Sequence, residues 1–105
     1  MRRDVFQAIA DPNRRAILNL LADQKLTLNG VAKHFSISRP AVSRHIKILA
    51  ESGLVYVRQQ GRERYCEARL DKLDEVSDWI EQFRQIVEQR FERLDNVLEV
   101  MKKEK

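Results

Sequence analysis

Between residues 36 and 55 the chain reads SISRPAVSRHIKILAESGLV, and its apolar positions recur at helical spacing. Val42, Ile46 and Leu49 stand at i, i+4 and i+7 and gather on one side, while Ser43, Arg44 and Lys47 point away. Both ends are punctuated. Ser38 suits the N-cap, because its hydroxyl can accept from an unpaired amide of the first turn. Pro40 falls inside that turn, where a missing N–H costs nothing. Gly53 stands where a left-handed residue would end the helix. The prediction is a helix over 38–52 with an apolar back and a basic, hydroxyl-bearing front, the shape that a DNA major groove accepts. A helix whose basic face is merely solvated would carry the same pattern.

Upstream, residues 4–10 predict a short helix with Val5, Phe6 and Ile9 on one side. Asp11-Pro12 is a strong start signal for a helix over 12–24 with Ile17, Leu18 and Leu21 facing a core. A further helix over about 28–35, capped by Thr27, carries Leu28, Val31, Ala32 and Phe35 and runs into the Ser36 turn. Helix, tight turn and second helix make a helix-turn-helix. Beyond Gly53 the period changes to two. Residues 54–58 and 64–68 predict a two-stranded hairpin around a polar loop, 59–63, with arginines at and beside its tip. Ile48, apolar on the polar side of the helix, is expected to pack under this wing. Three helices and a basic hairpin describe a winged helix.

Residues 71–103 predict one long helix. Asp71 can cap it, Asp74, Glu75 and Asp78 fill its first turns, and Lys102 and Lys103 its last, matching the helix dipole. Leu73, Val76, Ile80, Phe83, Val87, Leu94, Val97 and Met101 alternate at three- and four-residue steps, and Trp79, Ile86, Phe91 and Leu98 widen the stripe. At about 1.5 Å per residue such a helix is roughly 50 Å long. A winged-helix body of this size cannot cover that much apolar surface, so a second copy of the chain is the expected partner. Folding of the whole helix onto its own body is the alternative. The expected fold is thus mostly α with a small β-hairpin: one domain over 1–105, divided into a DNA-binding body (4–70) and a dimerisation helix (71–103).

Charge sharpens this picture. The chain has 105 residues and a net charge of +4. Residues 1–69 hold 13 Lys/Arg against 6 Asp/Glu, a net of +7, and residues 70–105 hold 7 against 10, a net of −3. Positive charge sits with the helix-turn-helix, which favours a polyanion there and another role for the tail. Neither a signal-peptide-like start nor a bilayer-length apolar run is visible, which leads to the expectation of a cytoplasmic protein without membrane contact. The single cysteine, Cys66, excludes an internal disulfide and a cysteine-only metal cluster. His34 suits a surface position beside helix-end carbonyls, and Cys66 suits core or edge packing. Tyr56 and Tyr65 invite base stacking, although strand aromatics more often anchor a wing. With 3 glycines and 2 histidines there is little catalytic material, and the protein is expected not to be an enzyme.

The order DPNRRAILNLL, VAKHFSISRPAVSRHIKILAESGLV and RQQGRERYCEARL resembles the ArsR/SmtB group of bacterial winged-helix transcriptional regulators, over about residues 4–70. The resemblance implies a homodimer with its first and last helices at the interface. It also implies paired recognition helices on a two-fold-related operator in double-stranded DNA, and repression as the outcome. Carried over residue by residue, it makes Ser38, Arg39, Pro40, Ser43, Arg44 and His45 the recognition-helix contacts. Arg39 and Arg44 can bond guanine O6 and N7 together, whereas Ser43 and Lys47 suit phosphates. His45 could equally fill the boundary between helices. Arg62 at the wing tip suits a minor-groove or backbone contact, with Arg58 and Arg64 on phosphates. The expected dimer contacts are Val5, Phe6 and Ile9 in the first helix and Trp79, Ile80, Phe83, Val87, Phe91, Leu94 and Leu98 in the last.

One departure from the group matters. Its metal-sensing members carry Cys-x-Cys before the turn or histidines on the last helix. Here the first stretch reads Leu26-Thr27-Leu28-Asn29-Gly30-Val31, and the last helix has no histidine. The chain therefore resembles the subgroup without metal-sensing cysteines, and no metal or cofactor is expected. A ligand- or metal-responsive sensor of the same fold and a winged-helix protein-interaction module remain the alternatives.

Overall fold

The computed structural model describes residues 4–103. Its elements are α1 (Val5–Ala8), α2 (Pro12–Leu21), β1 (Leu26–Thr27), α3 (Leu28–Ala32), α4 (Arg39–Glu51), β2 (Val55–Gln60), β3 (Glu63–Ala68), a 3-10 turn (Leu70–Leu73) and α5 (Asp74–Lys103). The chain divides into two compact units, one ending at Asp74 and one beginning at Glu75.

In the first unit the expected caps are in place. The side chains of Asp11, Thr27 and Ser38 accept from the amides of Arg14, Gly30 and Ala41, each three residues on. At the end of α4 the Gly53 amide donates to Ala50 O and the Leu54 amide to Leu49 O, with Gly53 at φ 84°. This is a Schellman motif, and Leu49 and Leu54, the apolar pair that usually accompanies it, are both fully buried. Around them lies the core: Ile17, Leu18 and Leu21 from α2, Val31 from α3, Val42 and Ile46 from α4, then Val55 and Cys66.

Several expectations are corrected. The sheet has three antiparallel strands in the order β1-β3-β2, because Leu26 and Thr27 pair with Cys66 and Tyr65. The five-residue loop shrinks to a two-residue turn, since Gln60 pairs with Glu63 and only Gly61 and Arg62 lie between the strands. Gly61 has φ 63° and Arg62 has an ordinary backbone, the combination a type II′ hairpin turn requires. The third helix stops at Ala32 rather than reaching 35. Ile48 is half-buried and does not underlie the wing. The groove between α4 and the hairpin is walled instead by Ser43, Ile46, Lys47 and Ala50, and Ile48 lies on a different face of the helix.

Val5 turns inward. It is buried together with Ala8, while Phe6 is exposed and Ile9 half-buried, so Val5 presents no surface to a partner. Asp71 caps no α-helix. The chain leaves β3, the Arg69 amide donates to Leu54 O at 2.7 Å, and a 3-10 turn containing Asp71 precedes α5.

The second unit is the α5 helix beyond Asp74. Among its described residues none is buried. Its large apolar side chains, from Trp79 to Met101, are each at least 45% exposed. Trp79 and Phe83, one turn apart, meet edge to face with ring centroids 5.1 Å apart.

Candidate nucleic-acid interface

Helical geometry divides α4 cleanly. Arg39, Pro40, Ser43, Arg44 and Lys47 fall within an arc of about 140°, and all five are exposed. The apolar back of Val42, Ile46 and Leu49 fixes which way that arc points, since those side chains are at most 5% exposed. Among the described residues, no carboxylate comes within ion-pair distance of Arg39, Arg44 or Lys47. Three cations are therefore held on a rigid element without neutralisation from those residues, which favours an external anion. Ser38 acts differently. Its Oγ accepts from the Ala41 amide at 3.3 Å and so sets the helix entry.

His45 does not join this front. It lies about 170° around the helix from the centre of the basic arc. Its Nδ1 is 3.3 Å from an Arg14 Nη1 and 3.9 Å from Asp11 Oδ2. The boundary-filling alternative is thus the one realised. Asp11 at this junction loses solvation through burial, which raises its pKa. Amide bonds from Arg14 and Asn13 and the neighbouring His45 and Arg14 charges outweigh that, leaving it below its ordinary value.

Two residues that sequence reasoning passes over complete the support. Arg14 Nε donates to Ala8 O at 2.6 Å and an Nη2 proton goes to Gln7 O at 3.0 Å, while Arg15 donates to Ile9 O at 2.8 Å. Both satisfy carbonyls at the end of α1 and fasten it to α2. Their only sequence signal is a pair of arginines one turn after a short helix.

On the wing, Arg62 occupies the turn and is exposed, as are Arg58 and Arg64. Arg58 is partly neutralised by Glu67 at 4.0 Å and lies over the Tyr56 ring, which Arg69 also covers at 4.9 Å. Tyr65 donates its hydroxyl to Glu63 at 3.1 Å and lies beneath Lys25 Nζ. Both tyrosines are thus engaged by the protein's own side chains rather than presented bare. Arg62, Arg64 and Arg39 share one cleft with Thr27, Leu28, Asn29 and Glu63, so the wing and the start of α4 bring guanidiniums to the same place.

The other singled-out residues fall into structural positions. His34 Nδ1 donates to Gly30 O at 2.9 Å, closing the end of α3. Cys66, 2% exposed on the central strand, has its thiol pushed up in pKa by burial, with Arg64 pulling weakly the other way. His34, His45 and Cys66 lie on separate parts of the fold, and among the described residues no group of three or more His, Cys, Asp or Glu side chains is placed to hold a metal. No described helix is long and apolar enough to cross a membrane.

Residues 11–57 match the family described as "Bacterial regulatory protein, arsR family". The chain is 35% identical over 80 residues to the transcriptional repressor SdpR of Bacillus subtilis, covering 76% of this chain and 89% of that protein. It is 30% identical to an arsenical resistance operon repressor of Staphylococcus xylosus, over 70% of each. Among solved structures it resembles an ArsR-like transcriptional regulator from Rhodococcus sp. RHA1, with a TM-score of 0.73 and 26% identity over 91% of this chain and 88% of that one. Together with the winged helix-turn-helix fold and its exposed basic front, these likenesses identify the chain as a member of the arsR family of bacterial regulatory proteins, DNA-binding regulators of transcription rather than enzymes.

Proposed function

We propose that this protein is a homodimeric repressor that binds an imperfect palindrome, with two copies of α4 in successive major grooves about 34 Å apart. The observation that carries this is the exposed cationic front of α4, unpaired among the described residues and backed by a fully buried apolar face. Arg44 reads a base edge, Ser43 and Lys47 hold phosphates, and Ser38 and Pro40 set how the helix enters the groove. Arg58, Arg62 and Arg64 carry the wing onto the backbone or the adjacent minor groove. His45 serves the body by orienting α4 against α2.

Dimerisation rests on the second unit. A helix of 30 residues with its apolar stripe bare gains most by meeting its own copy. Trp79, Ile80, Phe83, Val87, Phe91, Leu94 and Leu98 form that contact, and Phe6 and Ile9 of α1 are further dimer contacts in this reading. The DNA-binding body is thus residues 4–70 and the dimerisation element residues 71–103. Repression fits the name of the Bacillus relative and requires nothing beyond occupancy of a promoter. An operator on the chromosome puts the protein in the cytoplasm. Sensing through Cys66 is disfavoured by its burial, which keeps the thiol protonated and unreactive.

Selection of bound fragments from genomic DNA by the purified protein tests the proposal. The expected result is one family of sites with two half-sites a helical turn apart. Recovery of unrelated sequences, or of single half-sites, would count against a two-fold reader.

A further inference from the structure

A recognition helix in a major groove and a wing in the neighbouring minor groove are separated by one sugar-phosphate backbone, because that backbone is the ridge between the two grooves. The cleft between the start of α4 and the wing is where this ridge has to pass. Its chemistry suits the passenger. Arg39 from α4 and Arg62 and Arg64 from the hairpin supply three guanidiniums against the one carboxylate of Glu63, and Glu63 already accepts the Tyr65 hydroxyl. Thr27 Oγ1 accepts from the Gly30 amide at 3.0 Å, which leaves its own proton free to donate. Asn29 is exposed beside it with two amide protons to give.

Resting on the DNA-binding reading above, we infer that this cleft is a seat for one backbone phosphate, gripped jointly by Arg39 and Arg62 and trimmed by Thr27 and Asn29. Arg39 thereby becomes a positioning residue and not a base reader. Sequence preference falls to Arg44, further along the arc. The seat also gives the wing and α4 a shared ligand, so the wing tip is held in register with the recognition helix through the DNA. Guanidinium forks suit this, because each presents two parallel donors to a phosphate.

The test uses the duplex recovered by selection with the full chain, with single methylphosphonate linkages placed in turn along the backbone between the contacted grooves. On unmodified duplex, Arg39→Ala and Arg62→Ala are each expected to weaken binding about tenfold. The double variant should lose well short of the roughly hundredfold that independent contacts would give. One methylphosphonate position should weaken the unmodified protein about tenfold and make both single substitutions nearly silent. The loss by the natural chain at that linkage does not depend on how the variants fold. Asn29→Asp should weaken binding by placing a carboxylate at the seat. Fully additive losses, or no linkage that silences both arginines, would overturn the shared seat, and so would a changed base preference in Arg39→Ala. If the natural chain recovers no duplex at all, the DNA-binding reading fails and takes the seat with it. Duplex binding without coupling sinks only the seat.

Discussion

Helices α4 and α5 are written in the same binary code and end in opposite situations. Each carries an apolar stripe and a charged remainder. In α4 the stripe is sealed into its own unit, with Val42 and Leu49 fully buried, and the charged side is left bare. In α5 the stripe itself is bare, with Phe91 62% exposed. Amphipathicity therefore specifies that a face needs a partner and leaves open where the partner comes from. For α4 the partner is supplied by α2, α3 and the sheet. For α5 a second copy of the chain is the proposed cover.

The contrast breaks most sharply at the buried stripe. Leu49→Ala should cost about 2–5 kcal/mol, because it opens a cavity in a packed core and removes the apolar partner of Leu54 in the Schellman motif. Chemical denaturation measures it, and the loss should not vary with protein concentration. Phe83→Glu on α5 should behave in the reverse manner. It should leave the first unit's core intact, abolish the concentration dependence of stability and convert the dimer to monomer on sedimentation.

Next in size come the charged faces. Arg44→Ala should lose about 1–3 kcal/mol of discrimination at one base pair, while Lys47→Ala should weaken all sequences alike and lower the salt slope by about one. Titrations at several salt concentrations separate the two. Gly53→Ala should cost roughly 1–2 kcal/mol of folding stability, since φ 84° disfavours a β-carbon and the Lys72 side chain lies 3.3 Å from where that carbon would sit.

The smallest effect is electrostatic. Asp11 has a lowered pKa in the folded chain, so its contribution is present above its ordinary value of 3.8 and is lost as pH falls through the folded value. Asp11→Asn should therefore cost a little stability at neutral pH and hardly any below the folded value, which flattens the acid limb of the profile. A urea series across that range measures it.

What is legible in the sequence is mostly local. The caps at Asp11, Thr27 and Ser38 and the left-handed Gly53 are decided by one side chain and its next few amides, so a linear reading finds them. The buried stripe of α4 is legible for the same reason, since its period lies within one helix. The features that escape such a reading come from pairing between distant segments. A strand of only Leu26 and Thr27 has no period to detect and exists because β3 offers it an edge. Register with β3 likewise carries β2 on to Gln60 and tightens the wing turn. The motif assigns His45 to DNA by its place, yet its direction is set by Arg14 on another helix. Ile48 and Val5 depart from expectation because the position of the hairpin and the turn of α1 are tertiary facts. The basic residues of the candidate interface are all legible singly. The convergence of Arg39 and Arg62 on one cleft is not, because it depends on how the hairpin folds back beside α3.

If DNA covers the bare face of α4 while a second chain covers the bare stripe of α5, both should show in the mass of the particles. Weighing the free protein and its operator complex by light scattering after size exclusion tests the two together. The expected result is two chains alone and two chains on one duplex carrying both half-sites. One chain free in solution, and one chain per duplex, would contradict it.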